Sequence, residues 1–220
     1  MSLMLYAHPL SSYCQKVLMA LYENNISFSL RMLTPGDKAV MEELAAHWPL
    51  RRFPVLLAGK RPIREASIII EYLALHHLGP VSLIPPEAEQ ALEVRFMDRF
   101  FDNYVSTPQQ RVVMDVLRGA GQRDPAGVAD AKQMLETAYG WLEGVMGSRT
   151  WAAGEQFSMA DCAAAPALFY AHWTHAIPSR FEAVHCYRQR LLGRPSFAQA
   201  VEEARPYRHL FPLPIPAEEK

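Results

Sequence analysis

Cysteine is scarce in this chain, with three among 220 residues. Cys14, Cys162 and Cys186 are too few and too widely spaced for a disulfide framework, and an odd count fits a reducing compartment. The expected location is cytoplasmic. An excess of one sign of charge is missing as well: 22 Lys and Arg against 23 Asp and Glu leave a formal net charge of -1. Without a basic field or a run of like charges, no nucleic-acid partner is expected. Long hydrophobic runs are also lacking, the longest falling well short of the about 18 residues that a spanning helix needs. Met1-Ser2-Leu3-Met4-Leu5 carries neither a positive n-region nor a cleavage site, so neither membrane nor export is expected. Disorder is excluded by composition, since 50% hydrophobic and 20% charged residues are ordinary for a soluble globular protein.

The informative stretch is His8-Pro9-Leu10-Ser11-Ser12-Tyr13-Cys14-Gln15-Lys16-Val17, which follows a short apolar run from Leu3 to Ala7. It reads like the redox turn of a thioredoxin-fold protein with its outer cysteine replaced by serine. At such a helix entrance, unsatisfied backbone N–H groups and the positive end of the macrodipole favour a negative atom. A serine can only donate or accept a hydrogen bond there, so dithiol exchange within the turn is disfavoured. Cys14 opens an apolar stripe through Val17, Leu18 and Leu21 and is expected in the core.

The runs Leu3 to Ala7 and Ser27 to Leu33 flank that helical stripe and make a βαβ unit. A helix from about Asp37 to Ala46 leads to Phe53-Pro54-Val55-Leu56-Leu57. Gly59-Lys60 then turns into Ile63 and a helix from Glu65 to His77, and strands joined by so short a turn pair antiparallel. The resulting order, βαβαββα, is that of an α/β thioredoxin-like layer over residues 1–78. Gly79-Pro80 and Pro85-Pro86 mark a linker over 79–87. Residues 88–220 form an all-α bundle, with helical patterns at about 88–118, 128–146, 158–175, 180–192 and 195–204. Ser158 as N-cap and Asp161 at N3 form a capping box, with Phe157 stapling onto Cys162; losing Asp161 costs roughly 1 kcal/mol or more on this reading. The tail from Pro206 is expected to be extended.

Four segments in this order, Ser11 to Val17, Phe53-Pro54-Val55-Leu56, Glu65 to Leu73 and Phe157-Ser158-Met159-Ala160-Asp161, resemble the cytosolic glutathione S-transferase superfamily, of the bacterial serine/cysteine-turn type. The resemblance implies a domain that binds glutathione as co-substrate, a helical domain lining a pocket for small hydrophobic electrophiles, and a homodimer. It puts Ser11 in the role of donating to the glutathione thiolate, with Ser12 as the alternative. A free thiol has a pKa of about 8.5, so the anion must be favoured by such a donor. A plain N-cap has the same signature, and the two roles coexist on one turn. The resemblance also implies a cis peptide at Phe53-Pro54, freeing the Phe53 backbone to pair with the cysteinyl part of glutathione. Glu65, Ala66 and Ser67 would hold the γ-glutamyl carboxylate and Arg52 the glycyl one. At 66 the family usually has serine, so either Ser67 or the Ala66 N–H takes over.

The resemblance implies that the long fourth helix borders the cleft, and Asp98, Asp102, Tyr104, Gln109 and Arg111, on or just beyond it, are expected mostly as interface or surface residues. His172 and His175, spaced i, i+3, lack further ligands and read as aromatic packing, so no metal is expected. The expected activity is activation of the glutathione thiolate for attack on an electrophile. A glutathione-dependent isomerase or peroxidase is compatible with the same turn, and a thiol transferase using Cys14 is disfavoured. A rival outside enzymes is a non-catalytic regulator of the stringent starvation type, which Ala66 favours.

Overall fold

Strand β1, Leu3–Ala7, gains neighbours on both sides because helices can cover each face of the layer it starts. In a computed structural model that describes residues 2–217, four strands are ordered β2-β1-β3-β4. β2, Ser29–Met32, lies parallel to β1; β3, Val55–Ala58, runs antiparallel to β1, and β4, Arg61–Arg64, antiparallel to β3. Gly59, at φ +60°, makes the turn between the last two.

Three helices complete this α/β domain: α1, Ser12–Glu23, α2, Lys38–His47, and α3, Ala66–His76. Leu5 and Ala7 join the main core with Cys14, Val17, Leu18 and Leu21 of α1 and Ile69, Ile70 and Leu73 of α3. Tyr6, pointing the other way, packs with Val40 and Leu44 of α2. The two faces of β1 thus serve two layers of helix.

Beyond α3 the chain runs without regular structure until α4, Ala88–Phe100, though it is anchored on the way. The Val81 N–H donates to Asn24 Oδ1 at 2.9 Å, and the carbonyl of buried Leu83 accepts from the Met159 N–H at 2.8 Å. The helical domain continues with α5, Thr107–Val116, α6, Pro125–Met146, α7, Met159–Thr174, α8, Glu182–Leu192, and α9, Pro195–Ala204. α7 is buried along almost its whole length and packs directly on α1. Its alanines at 163, 164, 165 and 167 leave room for close neighbours. The capping box forms, and the Asp161 carboxylate accepts from the Ser158 and Ala152 N–H groups and from the Tyr187 hydroxyl, at 2.9, 2.8 and 2.6 Å.

Two expectations are corrected. The helical pattern over 88–118 is not one helix: a π-helical segment, Phe101–Ser106, separates α4 from α5. The Thr107 N–H reaches the Asp102 carbonyl five residues back, the Thr107 hydroxyl donates to the same carbonyl at 2.9 Å, and Pro108 has no N–H to give to the preceding turn. The tail is not extended from Pro206 onward. Residues Arg205–Leu210 form a 3-10 turn, which Pro206 permits because the first residues of a helix need no N–H, and Phe211 then packs against Tyr170 and Trp173.

Candidate functional site

A cavity of about 820 Å³ opens between the two domains, with the start of α1, the Phe53-Pro54 turn, the start of α3 and the α4 to α5 stretch on its walls. Each wall follows from local chemistry. Ser11 is extended, at φ -83° and ψ 123°, and caps α1 by accepting the Cys14 N–H at 3.4 Å. Its own N–H donates to the His8 carbonyl at 3.0 Å. Ser11 lines the cavity, whereas Ser12 is buried inside the first turn of α1 and does not. Cys14 is fully buried, and burial pushes its thiol up to about 12, so it is inert at neutral pH.

Phe53-Pro54 is a cis peptide, and both residues line the cavity with Arg51, Arg52 and Trp48. Glu65 stands before α3 at φ +69°, a left-handed conformation that costs a non-glycine residue on the order of 1 kcal/mol. It turns the α3 N-terminus, with the N–H groups that no helical carbonyl can satisfy, toward the cavity wall formed by Glu65, Ala66 and Ser67.

Below that wall lies an ion cluster that the sequence reading did not anticipate. Lys16 of α1, 1% exposed, contacts Asp98 of α4 at 2.5 Å and Asp102 of the π segment at 2.8 Å. It also donates to the Ser67 hydroxyl at 2.9 Å, which in turn donates to Asp98 at 2.7 Å. Arg99 closes the cluster from the solvent side, 2.6 Å from each carboxylate and in contact with Ser67. Asp98 and Asp102 are therefore buried, and Gln109, outside the cluster, is buried as well, which corrects their expected surface or interface placement. Burial works against the Asp98 anion, but Lys16 and hydrogen bonds from Lys16, Arg99 and Ser67 outweigh it and hold this carboxyl below the usual range. For Asp102, burial wins over Lys16, and the neighbouring Asp98 charge adds to it, so this carboxyl is raised.

Tyr13 also lines the cavity and was missed. Burial pushes its phenol up to about 12, so it remains a donor at neutral pH. Its position two residues beyond Ser11, off the apolar stripe of α1, is the one signal that could have marked it. The histidine pair on α7 is otherwise engaged: His172 Nδ1 accepts the Ile177 N–H at 3.1 Å, and His175 meets Glu136 at 2.8 Å. Among the described residues, no group of three His, Cys, Asp or Glu is placed to hold a metal ion.

The walls suit a small zwitterionic, peptide-like molecule. Phe53 stands on the wall beside the cis turn, α3 offers N–H groups to a carboxylate, Glu65 suits a cation, and Arg51 and Arg52 suit a second anion, while Asp98 and Asp102 are already taken up by Lys16 and Arg99. At the α1 entrance, Ser11 offers a hydroxyl to an atom carrying negative charge, whereas the Tyr13 side chain reaches Thr107.

Residues 5–80 match the family model for the glutathione S-transferase N-terminal domain, and residues 125–190 that for its C-terminal domain. FtsZ-localized protein A of Caulobacter vibrioides is 28% identical over 203 residues, covering 88% of each chain. A probable glutathione S-transferase, MSR-1, of Nicotiana plumbaginifolia is 26% identical over 172 residues, or 76% of this chain and 73% of its own. Among solved structures, a glutathione S-transferase of Methylobacterium radiotolerans in complex with glutathione sulfonate superimposes with a TM-score of 0.80 at 26% identity, covering 91% of this chain and 94% of that one.

Proposed function

We propose, for a chain that belongs to the glutathione S-transferase superfamily, that the interdomain cavity binds glutathione and that Ser11 stabilises its thiolate for attack on a small hydrophobic electrophile. The observation that carries this reading is the Ser11 hydroxyl, on the cavity wall at the entrance of α1, with the cis Phe53-Pro54 turn on the same cavity. A hydrogen bond to sulfur and the positive helix end both favour the anion, and Ser11 does not itself titrate. The Phe53 backbone takes the cysteinyl part, the N–H groups at Ala66 and Ser67 the γ-glutamyl carboxylate, and Arg52 the glycyl carboxylate. Ser12, buried and off the cavity, is the weaker candidate. The test is an ultraviolet titration of the bound thiol together with turnover of a generic aromatic halide. Ser11→Ala is expected to raise the thiol pKa and slow turnover, and an unshifted titration overturns the assignment.

A homodimer belongs to the same reading. Ile68 and Leu75 of α3 and Leu92 and Phe96 of α4 are exposed, an apolar face that a second copy would cover. Sedimentation at the mass of one chain would remove this part.

A second reading, a glutathione transferase-like binding protein without catalysis, is favoured by two observations. Ala66 has no hydroxyl and that of Ser67 is engaged by Lys16 and Asp98, while a relative covering most of the chain is named for its localisation with FtsZ. Failure of the wild-type protein to bind glutathione resin or to turn over the halide selects this reading over the first.

A further inference from the structure

His8 sits at the joint between β1 and α1, three residues ahead of Ser11, and is 8% exposed. It holds the turn from two sides. Its carbonyl accepts the Ser11 N–H at 3.0 Å, and its Nδ1 accepts the Leu10 N–H at 3.2 Å. With Nδ1 an acceptor, the neutral ring carries its proton on Nε2, which is buried and meets no hydrogen-bond partner among the described residues. Tyr207, from the 3-10 turn of the C-terminal tail, packs edge-on to this ring with centroids 5.1 Å apart. The tail is itself pinned, since Phe211 lies against Tyr170 and Trp173, and the Arg208 guanidinium sits 5.6 Å from the Trp173 ring centroid. The titratable groups that meet His8 are thus Tyr207 from the tail and, from α1, Cys14, whose thiol reaches the His8 backbone. Among the described residues no charged side chain compensates an imidazolium here, and burial holds this imidazole below its ordinary range.

We propose that His8 is a positioning residue for Ser11: kept neutral under Tyr207, it accepts the Leu10 N–H and so fixes the turn that presents the Ser11 hydroxyl to the cavity. An imidazolium has donors at both nitrogens and cannot accept that N–H, so protonation releases the turn. Withdrawal of the tail opens the ring to water and lets it protonate at higher pH. The functional half of this inference rests on the thiolate-stabilising reading of Ser11; the structural half does not.

The test has two arms on the full chain. The first follows the Leu10 and Ser11 amide signals of the ligand-free protein by NMR against pH. They should shift with a midpoint below the ordinary histidine range, and that transition should vanish in His8→Asn, whose Oδ1 lies near the Nδ1 position, and move to higher pH in Tyr207→Ala. The second arm measures kcat/KM and the ultraviolet titration of the bound thiol. His8→Ala should lower kcat/KM about fivefold, the effect of one ordinary hydrogen bond, and raise the thiol pKa, while His8→Asn restores both and lacks the acid limb of the wild-type profile. Amide signals indifferent to pH and to His8→Ala, in folded protein, overturn the proposal whatever the activity. A pH-dependent turn that His8→Asn flattens, in a protein that forms no thiolate, upholds the positioning and rejects the reading of Ser11 instead.

Discussion

At position 66 a methyl group stands on the cavity wall where the resemblance to glutathione transferases leads one to expect a hydroxyl. The neighbouring Ser67 does not make up the loss, because its oxygen already serves Lys16, Asp98 and Arg99. On the proposed reading that leaves the first N–H groups of α3, which follow the left-handed Glu65, to take a carboxylate alone. Ala66→Ser should therefore tighten glutathione binding about fivefold, the gain from one added hydrogen bond, as read by calorimetry. An unchanged Kd would mean the backbone suffices. Residues such as Ser11, Cys14, Phe53 and Pro54 were legible in the sequence because their surroundings are set within a few positions: a helix start, an apolar stripe, a proline. Lys16 was not legible. Its partners lie 82 and 86 positions away, and nothing local distinguishes a lysine that will meet two carboxylates in the core from one that points to water.

Among the elements, the short strands and the helices with clear caps follow from periodicity, and α9 falls at Pro195–Ala204 as its pattern indicates. The long stretch after residue 88 failed at one place because the hydrophobic period alone cannot register a turn one residue wider than an α-helix. Within that wider turn sits Asp102, one half of the acid pair around Lys16. The start of α7 carries its own prediction. Asp161 accepts from two backbone N–H groups and the hydroxyl of fully buried Tyr187, so its removal strands several donors rather than one cap. Asp161→Ala should cost about 3 kcal/mol, above the roughly 1 kcal/mol of an ordinary cap, as measured by urea unfolding. A loss near 1 kcal/mol would show that the donors find other partners.

Over the whole molecule, the two domains meet at a seam where α1 and α7 pack and where one lysine faces two aspartates. The pH dependence of stability follows from the opposed shifts. Asp98 is depressed, so its contribution is present above the ordinary carboxylate value of about 4 and is lost as pH falls through its lower folded value. Asp102 is raised, so its contribution is present below about 4 and is lost as pH rises through its higher folded value. Together they give a maximum near pH 4 in this part of the stability profile. Denaturation midpoints across pH should lose the lower limb in Asp98→Asn and the upper limb in Asp102→Asn. Equal slopes in all three proteins would show that the cluster does not govern acid stability.

The same seam limits how freely the halves of this chain can be recombined. A chimera that joins this helical domain to an N-terminal half with an apolar side chain at position 16 would bury two carboxylates with no lysine between them. Arg99 would still meet both carboxylates from the solvent side, so the loss stays below the about 3–5 kcal/mol of a buried charge left with no partner at all, yet it remains a sizeable part of what holds an ordinary domain together. Exchange between such proteins is therefore expected to succeed only when Lys16, Asp98 and Asp102 travel as a set, so that this seam ties the two halves into one unit.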